Sequence, residues 1–95
     1  MSKAEDNHKS IVASLGCVIC RRDDGAIVTP EVHHIAQGSS ERSHFMTAGL
    51  CDYHHRQAGT GLHGAGVKKF LMMNNLPSEY HLLGLVNQFR SEDGV

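Results

Sequence analysis

The chain has no Trp, only three Phe and two Tyr, and ten Gly among its 95 residues. That leaves little bulk for a hydrophobic core, and a chain this short buries a modest share of its surface in any case. Small scaffolds of this kind usually add a disulfide or a metal to stay folded. Three Cys cannot pair evenly, and Met1 to Lys9 is polar without an apolar run, so neither secretion nor a disulfide framework is expected. The expected compartment is a reducing cytosol. No stretch approaches the roughly 20 apolar residues of a membrane span, which removes the membrane as an expected partner. An excess of positive charge is missing too: nine Lys and Arg against ten Asp and Glu give a formal net charge of −1, which argues against a broad electrostatic grip on nucleic acid. The distribution is less even. Between Arg42 and Ser78 the basic residues Arg42, Arg56, Lys68 and Lys69 face a single acid, Asp52.

Histidine and cysteine are plentiful where bulk is not. Six of the eight histidines lie between His33 and His63, just downstream of Cys17-Val18-Ile19-Cys20. Cys17-x2-Cys20, followed about thirty residues later by Cys51-x2-His54, is the spacing of a tetrahedral zinc site built from two knuckles. Each knuckle places two ligands on one tight turn, and four ligands leave no open position, so this site is expected to be structural. A redox role for the Cys pair would need a βαβ context that the sequence does not offer. The plain alternative is buried thiols with a surface histidine.

Around these ligands the pattern reads as one domain, with an N-terminal helix in 1–15, the knuckles and site in 16–64 and helices in 65–95. Glu5 to Leu15 is expected to be helical, with Ile11, Val12 and Leu15 on one face and Gly16 ending it. Arg21-Arg22-Asp23-Asp24-Gly25 predicts a hairpin turn between the first knuckle and a strand over Ala26 to Thr29. Glu31 to Ile35 predicts a second strand, after Pro30. Ala36 to Ala48 reads as an irregular loop carrying Arg42, His44 and Phe45, of a length more often functional than idle. Helix signals resume at Leu50, break at Gly59-Thr60-Gly61, and return over Gly66 to Asn74 with Phe70, Leu71 and Met73 inward. A last helix follows Pro77-Ser78-Glu79, its apolar residues being Tyr80, Leu82, Leu83, Leu85, Val86 and Phe89. Met72-Met73 and Leu82-Leu83 are read as core, and His8 and His81 as surface residues.

The histidines left over form a second set. Neighbours on a strand point to opposite faces, so His33 and His34 should have different jobs: one on a cation, the other a base with an ordinary pKa near 6.5. A kink at the glycines could swing His63 back beside His55, giving His33, His55 and His63 as an open three-ligand site. Open positions separate a catalytic metal from a structural one. Phosphodiester hydrolysis suits such a site, with His34 deprotonating water and the cation stabilising the developing charge. Imidazole suits Zn, Ni or Mn, whereas Mg prefers oxygen, so the ligands do not fix the metal.

The joint pattern of Cys17-x2-Cys20, Val32-His33-His34-Ile35, Ser43-His44-Phe45 and Leu50-Cys51-x2-His54-His55, with His63 downstream, resembles the HNH (ββα-metal) nucleases. More narrowly, it resembles the phage recombination-enhancement (Ref) type described as RecA-dependent. The resemblance runs from about Gly16 to Phe89. It implies an α+β, zinc-stabilised ββα-metal (treble-clef/HNH) domain with flanking helices, a hydrolase that cuts or nicks DNA as an endonuclease. It implies His33 as metal ligand and His34 as general base, with His55 and His63 as further metal ligands. His44 falls where the middle Asn of the HNH name would sit, and binding phosphate is an alternative role for it. The implied cofactors are structural Zn2+ and a catalytic Mg2+ or other divalent cation. The implied partners are DNA and a RecA filament, in the cytoplasm of a bacterial host of a phage or prophage. Against this stand a treble-clef zinc finger that binds nucleic acid or protein without cleaving it, and a purely scaffolding zinc domain. Neither has a use for His33, His34, His55 and His63.

Overall fold

A computed structural model describes residues 2–35 and 45–95. Its elements are helices α1 (Lys3–Leu15) and α2 (Val18–Asp24), strands β1 (Glu31–His34) and β2 (Thr47–Leu50), and then helices α3 (Asp52–His55), α4 (Leu62–Ala65), α5 (Val67–Met73) and α6 (His81–Asp93). The described residues are thus α+β, helices around a two-stranded antiparallel sheet in which Glu31 pairs with Leu50 and His34 with Thr47.

Helix α1 starts two residues earlier than its apolar periodicity suggests, because Ser2 closes a capping box. The Glu5 amide donates to Ser2 Oγ at 3.2 Å, and the Ser2 amide donates back to Glu5 Oε1 at 3.3 Å. Such a cap stabilises a helix start by about 1 kcal/mol. Val12 and Leu15 are buried from this helix, joining Val18, Ile19, Ile35, Leu50, Leu62, Phe70, Leu82, Val86 and Phe89 in the core. Arg21 then pins α2 to α6: its guanidinium lies 4.6 Å over the Phe89 ring and donates to Asp93.

Several expectations change in the region after the first knuckle. Arg21 to Gly25 is not a hairpin turn but the end of α2, with Gly25 in the left-handed conformation (φ 68°) as its terminating residue. A left-handed Asp-Gly serves a helix end as readily as a hairpin, and burial of Val18 and Ile19 favours the helix here. Ala26 to Thr29 is not a strand. Ile27 is 68% exposed, so that segment has no apolar face to pair over. The partner of β1 is β2, taken from the end of what reads as a loop. Gly49 makes that pairing fit, since a Cβ there would stand 2.6 Å from Gly16 O and 2.9 Å from Pro30 Cβ.

Downstream, the helix expected from Leu50 is the single turn α3, and the expected 66–74 helix runs over Val67–Met73. Phe70 is buried, but Met72 is 72% and Met73 49% exposed, which corrects their reading as core. Tyr80, expected on the apolar face of α6, is exposed at its N-cap. His8 is not a surface residue; its ring is half-buried against Phe45 and Arg90. No helix among the described residues is long and apolar enough to cross a membrane.

Candidate metal centres

Two groups of side chains that could ligate a metal come together, Cys17, Cys20, Cys51 and His54 in one and His33, His55 and His63 in the other. In the first, Cys17 is the N-cap of α2 with Cys20 on its first turn, and Cys51 is the N-cap of α3 with His54 in that turn. The distances are 3.6 Å from Cys17 Sγ to His54 Nδ1, 3.5 Å from Cys20 Sγ to the same nitrogen, 3.3 Å from Cys51 Sγ, and 3.7 Å between Cys20 Sγ and Cys51 Sγ. A tetrahedron with metal–sulfur bonds of about 2.3 Å has edges of about 3.7 Å, slightly shorter where nitrogen replaces sulfur. The four side chains fit one cation on that ground. Burial pushes the Cys17 and Cys20 thiols up, with the neighbouring thiols adding to the rise at Cys20, and pulls the His54 imidazole down. A bound metal requires thiolates, so its binding would displace the protons that burial favours on Cys17 and Cys20.

The second group is His33, His55 and His63, whose ligand atoms lie within 4.8 Å of one another. Ring centroids are 5.2 Å apart for His33–His55 and His33–His63, and 4.9 Å for His55–His63. His33 comes from the buried side of β1, His55 from the end of α3 and His63 from α4. The return of His63 depends on glycine. A Cβ on Gly61 would meet Arg56 N at 2.5 Å, and one on Gly64 would meet Gln57 O at 2.0 Å, so only Gly lets α4 fold back on α3 this closely. Burial, then the nearby His55, lowers the His63 imidazole below its ordinary value. That favours the neutral form a cation needs.

Two carboxylates missed at the level of sequence support this group. Glu31 Oε1 is 3.0 Å from His55 Nδ1, while its other oxygen accepts from Arg56 at 2.6 Å. Glu79, 4% exposed, places Oε1 3.4 Å from His33 Nε2, and burial raises its carboxyl above the usual range. Histidines that ligate metals commonly turn their other nitrogen to a carboxylate in this way. Glu31 had a faint signal, lying two residues before His33 on the same strand face. Glu79 had none, since 46 residues separate it from His33.

Of the remaining candidates, His34 is half-buried, pairs with Thr47 and follows His33 on the strand, so it stands outside the three-histidine group. His44 and Arg42 lie outside the described residues. Arg56 is engaged by Glu31 and Asp52, whereas Lys68 and Lys69 have no ion-pair partner among the described residues. His81 is exposed, 3.0 Å from Ser78 Oγ.

No curated protein matches the chain. Residues 2–78 match the family described as recombination enhancement, RecA-dependent nuclease. That match spans most of the 95 residues, and the chain belongs to this family.

Proposed function

We propose that the protein is a metal-dependent DNA endonuclease of the HNH (ββα-metal) type, hydrolysing phosphodiester bonds during recombination in concert with a RecA filament. The observation that carries this reading is the convergence of His33, His55 and His63 on one point, two of them backed by carboxylates. It sits beside a separate four-ligand group that already suffices for architecture. A non-catalytic treble-clef finger has no use for the second set. The family's name supplies nuclease chemistry, RecA and recombination; the order β1, β2, α3, with a histidine at each end, suits the ββα-metal arrangement.

In this reading Cys17, Cys20, Cys51 and His54 hold a structural Zn2+, and His33, His55 and His63 hold Mg2+ or another divalent ion. When bound, that ion supplies Lewis-acid stabilisation of the negative charge that grows on the phosphoryl and 3′ oxygens. His34, one residue from a ligand but not in the ligand set, removes a proton from water. The water oxygen bonds to phosphorus as the P–O3′ bond breaks, and the 3′ oxygen takes a proton from solvent. His44 completes the proposal as a group contacting phosphate or the base, within the 36–44 segment. Lys68 and Lys69, on the helix that follows the one bearing His63, have no ion-pair partner among the described residues and would meet the DNA backbone.

The test is nicking of supercoiled plasmid, with and without a RecA filament, in Mg2+ or Mn2+. His34→Ala should abolish cleavage while metal content and melting temperature stay unchanged. Binding without cleavage by the wild-type chain under every condition would favour the zinc-finger reading instead.

A further inference from the structure

Glu79 is a buried carboxylate with an incomplete set of partners. It sits just before α6 and, among the described residues, no Lys or Arg pairs with it. Among the described residues its one side-chain hydrogen-bond or ion-pair partner is His33 Nε2 at 3.4 Å. Glu31, the counterpart on His55, is half-exposed and already balanced by Arg56. A buried anion is costly unless positive charge compensates it nearby. The imidazole it touches is one of the three that converge, so a cation beyond that ring would provide the compensation. Leu82, Val86 and Phe89 anchor α6 in the core, and this fixes where the carboxylate reaches. Residue 79 also falls just past the stretch 2–78 that matches the family.

We propose that Glu79 is a positioning residue of the three-histidine centre: it accepts the Nε2–H of His33 and so turns the Nδ1 lone pair toward the divalent cation. The inference rests on the cation-site reading above. A carboxylate behind a ligating histidine fixes the tautomer, orients the ring and raises its basicity, and losing it typically lowers metal affinity by roughly 10–100-fold. The ligand set itself would stay at three imidazoles, because Glu79 does not join their group.

The experiment uses the full chain with its tightly held metal in place, comparing wild type, Glu79→Gln and Glu79→Ala. Before any second metal is added, 15N NMR should show His33 as the Nε2–H tautomer, and Glu79→Ala should shift it toward a mixture. Mn2+ titration followed by electron paramagnetic resonance should then show affinity falling roughly 10–100-fold in Glu79→Ala. Glu79→Gln, which keeps an acceptor oxygen, should recover part of the loss. An Nδ1–H tautomer in the wild type, or wild-type Mn2+ affinity in both variants, overturns the proposal. If Glu79→Ala does not fold, Glu79→Gln decides alone: weaker Mn2+ binding supports the role and unchanged binding overturns it. Should wild type and His63→Ala bind Mn2+ equally, the cation-site reading fails instead, and the tautomer measurement still judges Glu79 separately.

Discussion

An imidazole is defined by what its two nitrogens face, and the histidines here divide on that basis. His8 Nδ1 lies 3.3 Å from Arg90, and its ring packs on Phe45 with the centroids 5.5 Å apart. Burial, and then the Arg90 charge, hold its pKa below the ordinary value, partly offset by the Phe45 backbone. The unfolded chain therefore takes up this proton first as pH falls, so stability should drop as pH falls through about 6.5 toward the lower folded value. Urea unfolding from about pH 7.5 to 5.5 should show a smaller loss for His8→Gln than for wild type; parallel curves would contradict the assignment. Local rules singled out five of the seven residues that cluster, Cys17, Cys20, Cys51 and His54 by x2 spacing and His33 by strand alternation, while His55 and His63 rested on their places after the second knuckle and a glycine kink. Such rules could not reveal Glu31 and Glu79 as supports or His8 as a packed ring, since each depends on a partner set by tertiary packing.

At the scale of elements, the two short helices α3 and α4 matter because they aim His55 and His63 at His33. Gly64→Ala would force a Cβ into the Gln57 carbonyl. That displacement should cost about 1–3 kcal/mol and weaken the second metal site far more than the first. Metal titration with a melting curve measures both, and a variant with wild-type affinity would contradict the argument. On α5, Lys68 and Lys69 should contribute phosphate contacts: Lys68→Ala/Lys69→Ala should weaken DNA binding and reduce its salt slope by about one to two. An unchanged slope in a filter-binding series would remove α5 from the DNA interface. The α1, β1 and α6 elements were legible from periodicity. The α2 helix was not, because an Asp-Gly pair ends a helix and turns a hairpin with the same left-handed glycine. Strand β2, at Thr47–Leu50, is buried throughout, so it lacks the alternation that would have separated it from a loop.

For the molecule as a whole, Cys17, Cys20, Cys51 and His54 meet between α2 and α3, and a metal held by them would tie the two helices together. Metal binding at such a site is worth on the order of 10 kcal/mol, comparable with the entire stability of a small domain. Cys51→Ala should therefore leave the chain unfolded at room temperature by circular dichroism, whereas His34→Ala should melt as wild type does. A folded Cys51→Ala chain would show the core holding itself together without the tie. The central claim is that two cation sites of different character share this small structure, one closed and one open to substrate. The most direct measurement is metal stoichiometry by inductively coupled plasma mass spectrometry after dialysis against Mn2+, for wild type and His63→Ala. The account predicts one retained zinc in both and one exchangeable manganese in wild type alone; a single metal in both proteins would contradict it.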